Sequence, residues 1–352
     1  MKKIISRREA LHWMALTTTA FFAACRNIIR ATSAASQVVV PTQSSTKAPE
    51  PSAPTQPEIK KPKGKNMATV YMTTDISADG LMSVFNALGH KPNGSVAVKI
   101  SSGEPGGHNF LSSALIAPLV AEVNGTIVEC NTAYGGRRAD TASHLRVMED
   151  HDFAAIAPVD IMDADGTMSL PIEGGKHLKE DVVGSHFSDY DFVINLAHFK
   201  GHAMGGFGGV VKNMSIGIAS STGKSLIHSA GRETTGFGMN TAQDDFLESM
   251  AEAAKGVAEY LGENILHIDV MNNLSVDCDC DSHPADPTME DIGILASLDP
   301  VALDQACVDL VYAAPDGKDL IERMESRHAI HTLEHAEAIG LGNRRYVLVN
   351  ID

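Results

Sequence analysis

Positive charge is scarce over most of this chain. Beyond residue 66 there are 17 Lys and Arg against 41 Asp and Glu, whereas the first 66 residues hold eleven basic and three acidic side chains. An acidic body repels phosphate backbones, which argues against nucleic acid as a partner. Cysteine is scarce as well. The five present (Cys25, Cys130, Cys278, Cys280, Cys307) are too few and too irregular for a disulfide framework, and an odd count leaves at least one thiol another fate. Long apolar runs are missing: His12 to Ala24 is short and is interrupted by Thr17, Thr18 and Thr19, so it makes a poor membrane-spanning helix. No internal repeat is present. The aromatic fraction is low at 5%, yet the hydrophobic fraction of 43% is that of an ordinary globular protein.

What is there begins with a basic leader. Lys2, Lys3 and the run Ser6-Arg7-Arg8-Glu9-Ala10-Leu11 precede the apolar stretch, so residues 1–24 read as an export signal peptide. The SRREAL run resembles a twin-arginine signal, whose pathway exports folded proteins. Phe22-Ala23-Ala24-Cys25 resembles a lipoprotein cleavage box with Cys25 as the lipidation residue. Residues 25–66 are rich in Pro, Ser and Thr without apolar periodicity, which predicts a disordered tether. The expected localisation is periplasmic or otherwise extracytoplasmic, with a lipid anchor to the membrane.

From residue 67 to 352, strand-like apolar runs alternate with amphipathic helical ones. Strands are expected at Ala68–Thr73, Val96–Ile100, Thr126–Cys130, Ala154–Ala157, Phe192–Leu196, Ile265–Val270, Ile292–Ala296 and Tyr346–Val349. A long helix is expected over Thr241–Leu261, and Asp299-Pro300 reads as a cap and first turn for a helix reaching Val311. This pattern predicts one α/β domain, with a largely parallel or mixed sheet flanked by helices. Ligands of such sheets bind beyond the carboxyl ends of the strands.

The unusual polar loops fall at those ends, above all Asn195–Gly231. Lys200 and His202 sit two apart just past a strand, so extended backbone aims both to one side. Gly205, Gly206, Gly208 and Gly209 permit close backbone approach to a ligand. Lys212 and Asn213 add a cation and an amide at a helix start, and His228 follows. We read Lys200, His202 and Lys212 as candidate catalytic groups, with the glycines, Asn213, His228, Arg137 and Arg138 as ligand-binding ones. His198 and His202, four apart, would suit a metal only on a helix. Gly217 to Ser225 has five residues between its glycines where a P-loop needs four, which excludes nucleotide hydrolysis by that motif. In Asp277-Cys278-Asp279-Cys280-Asp281, two thiols one residue apart can ligate a soft metal, with Cys307 as a further ligand if the fold brings it near.

NTAYGGRRADTASHL, FKGHAMGGFGGVVKNMSIGIAS, VMNNLSVDCDCD and DIGILASLDPVALDQACVDL resemble the uncharacterised iron–sulfur-centre protein family, the domain of unknown function numbered 362. The resemblance implies an α/β body and, in some members, an inserted ferredoxin segment. Here no cysteine lies between His228 and Asn264, so that insert is absent, and the resemblance implies no particular reaction. The expectation is an exported redox or cofactor-binding protein holding a metal ion or iron–sulfur cluster, with a redox partner. The alternative is a non-catalytic lipoprotein that binds a small anion or metal ion.

Overall fold

The computed structural model describes residues 67–238 and 240–352. The export signal, the tether and Cys25 lie outside the described residues. Two apolar strands run through the middle of the fold: β7 (Phe192–His198) and β10 (Ile265–Met271), buried at every position. Their side chains alternate between two cores. Phe192, Ile194 and Leu196 pack on one face of the sheet, and Val193 and Ala197 on the other. A strand covered on both faces reads as a continuous apolar run, as this one does.

Around them lie β1 (Ala68–Thr73), β2 (Val96–Lys99), β3 (Thr126–Glu129), β4 (Val159–Ile161), β11 (Gly293–Ser297) and β12 (Tyr346–Asn350). The eight strands stand in the order β12-β1-β11-β10-β7-β2-β3-β4. β11 pairs antiparallel with both β10 and β1, and every other neighbouring pair is parallel. The sheet is therefore mixed but largely parallel, and seven of the eight strands share one direction. Helices α1 (Ala78–Ala87), α2 (Ser113–Glu122), α3 (Thr141–Asp150) and α4 (Phe153–Ile156) belong to the Leu81–Ile116–Leu119 core. The expected strand at Ala154–Ala157 is in fact the single turn of α4, because a short apolar run carries no period that separates strand from helix.

The other face is covered by α5 (Val210–Met214), α7 (Gln243–Leu261), α8 (Pro300–Ala313), α9 (Lys318–Ser326) and α10 (His331–Ala338), with α6 (Ser221–His228) beside them. Helix α8 starts as its sequence dictates: Asp299 Oδ1 accepts the backbone N–H groups of Val301 and Ala302 at 2.9 and 3.0 Å, and Pro300 occupies the first turn. Two small ribbons complete the fold, β5 (Thr167–Pro171) with β6 (Glu180–Gly184) and β8 (Lys200–His202) with β9 (Gly206–Gly208). None of the helices among the described residues is long and apolar enough to cross a membrane.

Strand order decides where a ligand site can form. From β2 the chain steps outward to β3 and β4, then returns to lay β7 against the other side of β2, with β10 beyond it. The direction of winding reverses between β2 and β7. A crevice opens past the carboxyl ends of strands at such a switch point.

Candidate functional site in the crevice between β2 and β7

The crevice is a cavity of about 440 Å³, with Lys99, Cys130, His198, Lys200, His202, Lys212, Asn213, Lys224, His228, Cys278 and Cys280 in its wall. Lys99 ends β2 and Cys130 follows β3, while Lys200 and His202 come from β8. Lys224 and His228 share α6, and the two cysteines lie on the loop after β10. The Lys200–Asn213 segment and the Cys278–Cys280 pair therefore meet in one chamber.

The β8–β9 hairpin sets the first wall. Register pairs Lys200 with Gly208 and His202 with Gly206, so Lys200 and His202 point the same way into the cavity. His198 and His202 lie on different strands, which removes the helical two-histidine reading. The glycines serve mostly packing. Gly206 has φ of +82°, and a Cβ there would lie 2.4 Å from the Ala329 side chain; a Cβ on Gly209 would lie 2.3 Å from Asp304 Oδ1. Gly208 and Gly209 reach the cavity wall, whereas Gly205 and Gly206 are not among its lining residues.

Asn213 pins the switch point instead of offering free donors. Its Nδ2 donates to the Lys99 carbonyl at 3.0 Å and to Asn195 Oδ1 at 2.8 Å, and its Oδ1 accepts from Lys99 Nζ at 3.1 Å. The arginine pair divides. Arg137 is half-exposed and bonds Asp150 at 2.8 Å on the surface. Arg138 is buried, with Nε donating to Glu104 at 2.7 Å and Nη1 to Glu129 at 3.4 Å, so its charge is matched internally. The two guanidinium groups do not form one anion clamp.

Two histidines are kept neutral. Burial, with Lys212, His228 and Lys200 nearby, pushes His202 well below the usual imidazole range. Burial likewise lowers His228 to about 4. His202 Nδ1 accepts the backbone N–H groups of Gly205 at 2.8 Å and Met204 at 3.3 Å, which leaves the proton of the neutral ring on Nε2. His202 is thus set as a hydrogen-bond donor. Asp279, which sequence reasoning passed over as one more acidic neighbour, is the buried counter-ion. It accepts from Lys200 Nζ at 2.6 Å, and His198 Nδ1 lies 3.0 Å away. Burial opposes its ionisation, but Lys200 and His198 outweigh that and hold the carboxyl well below its ordinary range.

Sequence reasoning also missed Lys99 and Glu129. A signal existed, since each is the lone charge closing an otherwise apolar strand, VAVK and TIVE. Burial lowers Lys99 to about 8. Lys224 is depressed by burial as well, and its Nζ donates to the Ala219 carbonyl.

Cys278 and Cys280 behave as a pair. The Cys280 backbone N–H donates to Cys278 Sγ at 3.5 Å, and Lys212 Nζ lies 3.7 Å from the same sulfur. The Cys280 thiol, Lys212 and Lys200 together hold the Cys278 thiol well below its ordinary range, although burial opposes this. A thiolate so placed is a nucleophile. Ligand atoms of His202, Cys278 and Cys280 also lie within 4.8 Å of one another, close enough to hold a metal ion. A four-thiolate cluster does not fit. Cys130 donates to the Ile218 carbonyl at 3.1 Å, its thiol pushed up to about 12 by burial. Cys307 is not brought to the pair: its Sγ lies 3.6 Å from Asp269, and it is not in the cavity wall. A four-cysteine cluster needs all four thiolates in one place, and among the described residues that set does not converge.

The family model described as domain of unknown function (DUF362) matches residues 96–309. The chain belongs to that family. The match runs from β2 into α8 and so contains every crevice residue named above. No curated protein matches. Seven chains of solved structures do. One is the lactate racemase apoprotein from Thermoanaerobacterium thermosaccharolyticum, at 13% identity, 70% coverage of this chain, 57% of that chain and a TM-score of 0.41. Another is a structural-genomics protein from Thermotoga maritima, at 12% identity, 74% and 58% coverage and a TM-score of 0.38. This chain thus spans less than two thirds of the length of either.

Proposed function

We propose that this DUF362 protein binds a small anionic molecule in the crevice, a cofactor or substrate bearing carboxylate or phosphate, with the Cys278 thiolate as the group that acts on it. The observation that carries this reading is that Lys224 has no anionic partner among the described residues and Lys212 has only the Cys278 sulfur, 3.7 Å away. Among the described residues neither ammonium has a carboxylate within 4.0 Å, while Lys99, Lys200 and Arg138 are matched by Glu129, Asp279 and Glu104. A confined excess of cations on low-dielectric walls selects anions. His202 Nε2–H adds a neutral donor, and Tyr134 and Phe237, stacked at 5.8 Å, offer the ligand an apolar flank.

A metal ion at the His202–Cys278–Cys280 group is the weaker alternative. Ligation through His202 Nε2 would move the ring proton to Nδ1, against the Gly205 N–H that Nδ1 now accepts. The test is native purification, release of bound small molecules by denaturation, and mass spectrometry, followed by calorimetric titration of what is found. Lys212→Gln and Lys224→Gln should each weaken binding by about tenfold, the scale of one charge-assisted hydrogen bond. A protein that carries no anion and binds no phosphate- or carboxylate-bearing compound would sink the reading.

We also propose that the chain is exported and anchored through Cys25, on the strength of the SRREAL and FAAC runs. Membrane retention that survives Cys25→Ala would overturn the lipid anchor.

A further inference from the structure

Away from the crevice, a second constellation of titratable groups lies along the seam between α7 and α10. We propose that Glu248, His331 and His335 form a binding site for a divalent transition-metal ion of the zinc class. Glu248 projects from α7, and His331 and His335 stand one turn apart on α10. His331 Nε2 lies 3.1 Å from Glu248 Oε1, and His335 Nδ1 lies 3.9 Å from the same oxygen. The other oxygen of Glu248 accepts from Lys176 Nζ at 2.6 Å, with His177 Nε2 also at 2.6 Å, which turns Oε1 toward the two imidazoles. Behind the rings stand further carboxylates. His335 Nε2 is 3.3 Å from Glu252 Oε1, and His331 Nδ1 is 3.7 Å from Glu334 Oε2. Glu252 is itself fixed, accepting the backbone N–H groups of Lys176, His177 and Leu178 at 2.8, 3.0 and 2.8 Å.

A hydrogen count points to a cation. A neutral imidazole carries one N–H, yet each of these rings faces a carboxylate oxygen at both nitrogens. Whichever neutral tautomer is drawn, one lone pair per ring stands within 3.1–3.9 Å of an anionic oxygen, a repulsion that a second proton or a metal ion relieves. A metal ion between His335 Nδ1, His331 Nε2 and Glu248 Oε1 turns those contacts into bonds. The 3.9 Å separation exceeds a hydrogen bond and is near the roughly 3.3 Å between two ligands on one tetrahedral zinc. Two histidines four apart on a helix, a facing carboxylate, and carboxylates orienting the distal nitrogens form a zinc-type donor set. His328 and Asp244, 2.7 Å apart, form with His331 a rival set whose ligand atoms lie within 4.8 Å of one another, and His328→Ala distinguishes the two.

The experiment is titration of the full chain with Co2+ in the presence of Mg2+, read by visible absorption. A d–d band without thiolate charge transfer is expected. It should weaken at least about tenfold in His331→Ala and in His335→Ala, and persist in His328→Ala and Cys278→Ser. The Cys278→Ser arm separates this site from the crevice, whose function stands or falls independently. A colourless wild-type titration overturns the proposal. So does a band that survives His335→Ala or disappears in Cys278→Ser. Should a histidine variant unfold, imidazole NMR of the wild type decides: Zn2+ must shift His331 and His335 and leave His202 and His228 in place, and the reverse pattern overturns it.

Discussion

The crevice and the α7–α10 seam both gather histidines, and they do so with opposite electrostatics. In the crevice His202 and His228 sit among lysines under deep burial, so their rings are driven neutral and the surplus charge is positive. Along the seam His331 and His335 stand among Glu248, Glu252 and Glu334, only partly shielded from water, and the surplus is negative. The same residue type is thus set as a neutral donor among cations in one place and stands among carboxylates in the other. What differs is the company each ring keeps and how far water is excluded, and these decide what a histidine can do.

The heaviest blow to the crevice should come from Asp279→Asn. It strands Lys200 and His198 without their buried counter-ion, a loss on the order of 3–5 kcal/mol, measurable by urea unfolding. Acid should do the same by degrees. Asp279 and Glu129 both have folded pKa values held below the ordinary carboxylate range. Their stabilisation is complete above about pH 4, the unfolded value, and is lost as pH falls through the folded ones. A wild-type unfolding midpoint unchanged between pH 5 and 2 would contradict this pairing.

Lys99→Met asks whether the crevice trades stability for charge. The folded pKa of about 8 lies below the ordinary 10.5, so the folded state gives up this proton first. Its penalty is fully present below pH 8, and stability should recover as pH rises from 8 to 10.5. Removing the ammonium should stabilise the fold at pH 7 by up to roughly 3 kcal/mol, the scale of a shift of about two and a half units, while anion affinity falls. A destabilised variant would show that the contacts of Lys99 with Asn213 and Glu129 outweigh its desolvation.

Next in size is the thiol. With Cys278 held below its ordinary range, alkylation by iodoacetamide should stay fast from pH 9 down through neutrality and fade only in acid. Lys212→Ala removes a cation 3.7 Å from the sulfur. The profile should then move toward that of a free thiol, its acid limb displaced upward by about one pH unit. An unshifted profile would assign the thiolate to Cys280 alone. The seam offers the contrast, since Glu248→Gln should leave alkylation untouched.

Much of the frame was legible in the chain. The alternation of apolar runs marked most strands, and Asp299-Pro300 marked the start of α8, because period and capping are local properties. The single turn of α4 and the antiparallel β11 were not, since a short apolar run carries no direction. At the site, Lys200 and His202 could be placed from spacing alone, but Asp279 could not be told from Asp277 and Asp281. Only the return of the chain to β7 makes it the buried one. Cys307 shows the converse error. A thiol on a helix reads as available until the fold sets it against Asp269. The seam went unread because HTLEH on α10 gains meaning only when Glu248, more than 80 residues earlier, packs against it.

The smallest expected effect is the most discriminating test of local environment. Arg137 and Arg138 are adjacent and chemically identical, yet one meets Asp150 at the surface and the other is enclosed by Glu104 and Glu129. An exposed ion pair is worth at most about 1 kcal/mol because water screens it. Arg137→Ala should therefore move the unfolding free energy by less than about 0.5 kcal/mol and leave anion affinity unchanged. Arg138→Ala, which abandons two buried carboxylates, should cost several times more. If Arg137→Ala weakens ligand binding instead, the mouth of the crevice extends to the surface loop at Gly135–Arg137, and the anion is held by both arginines after all.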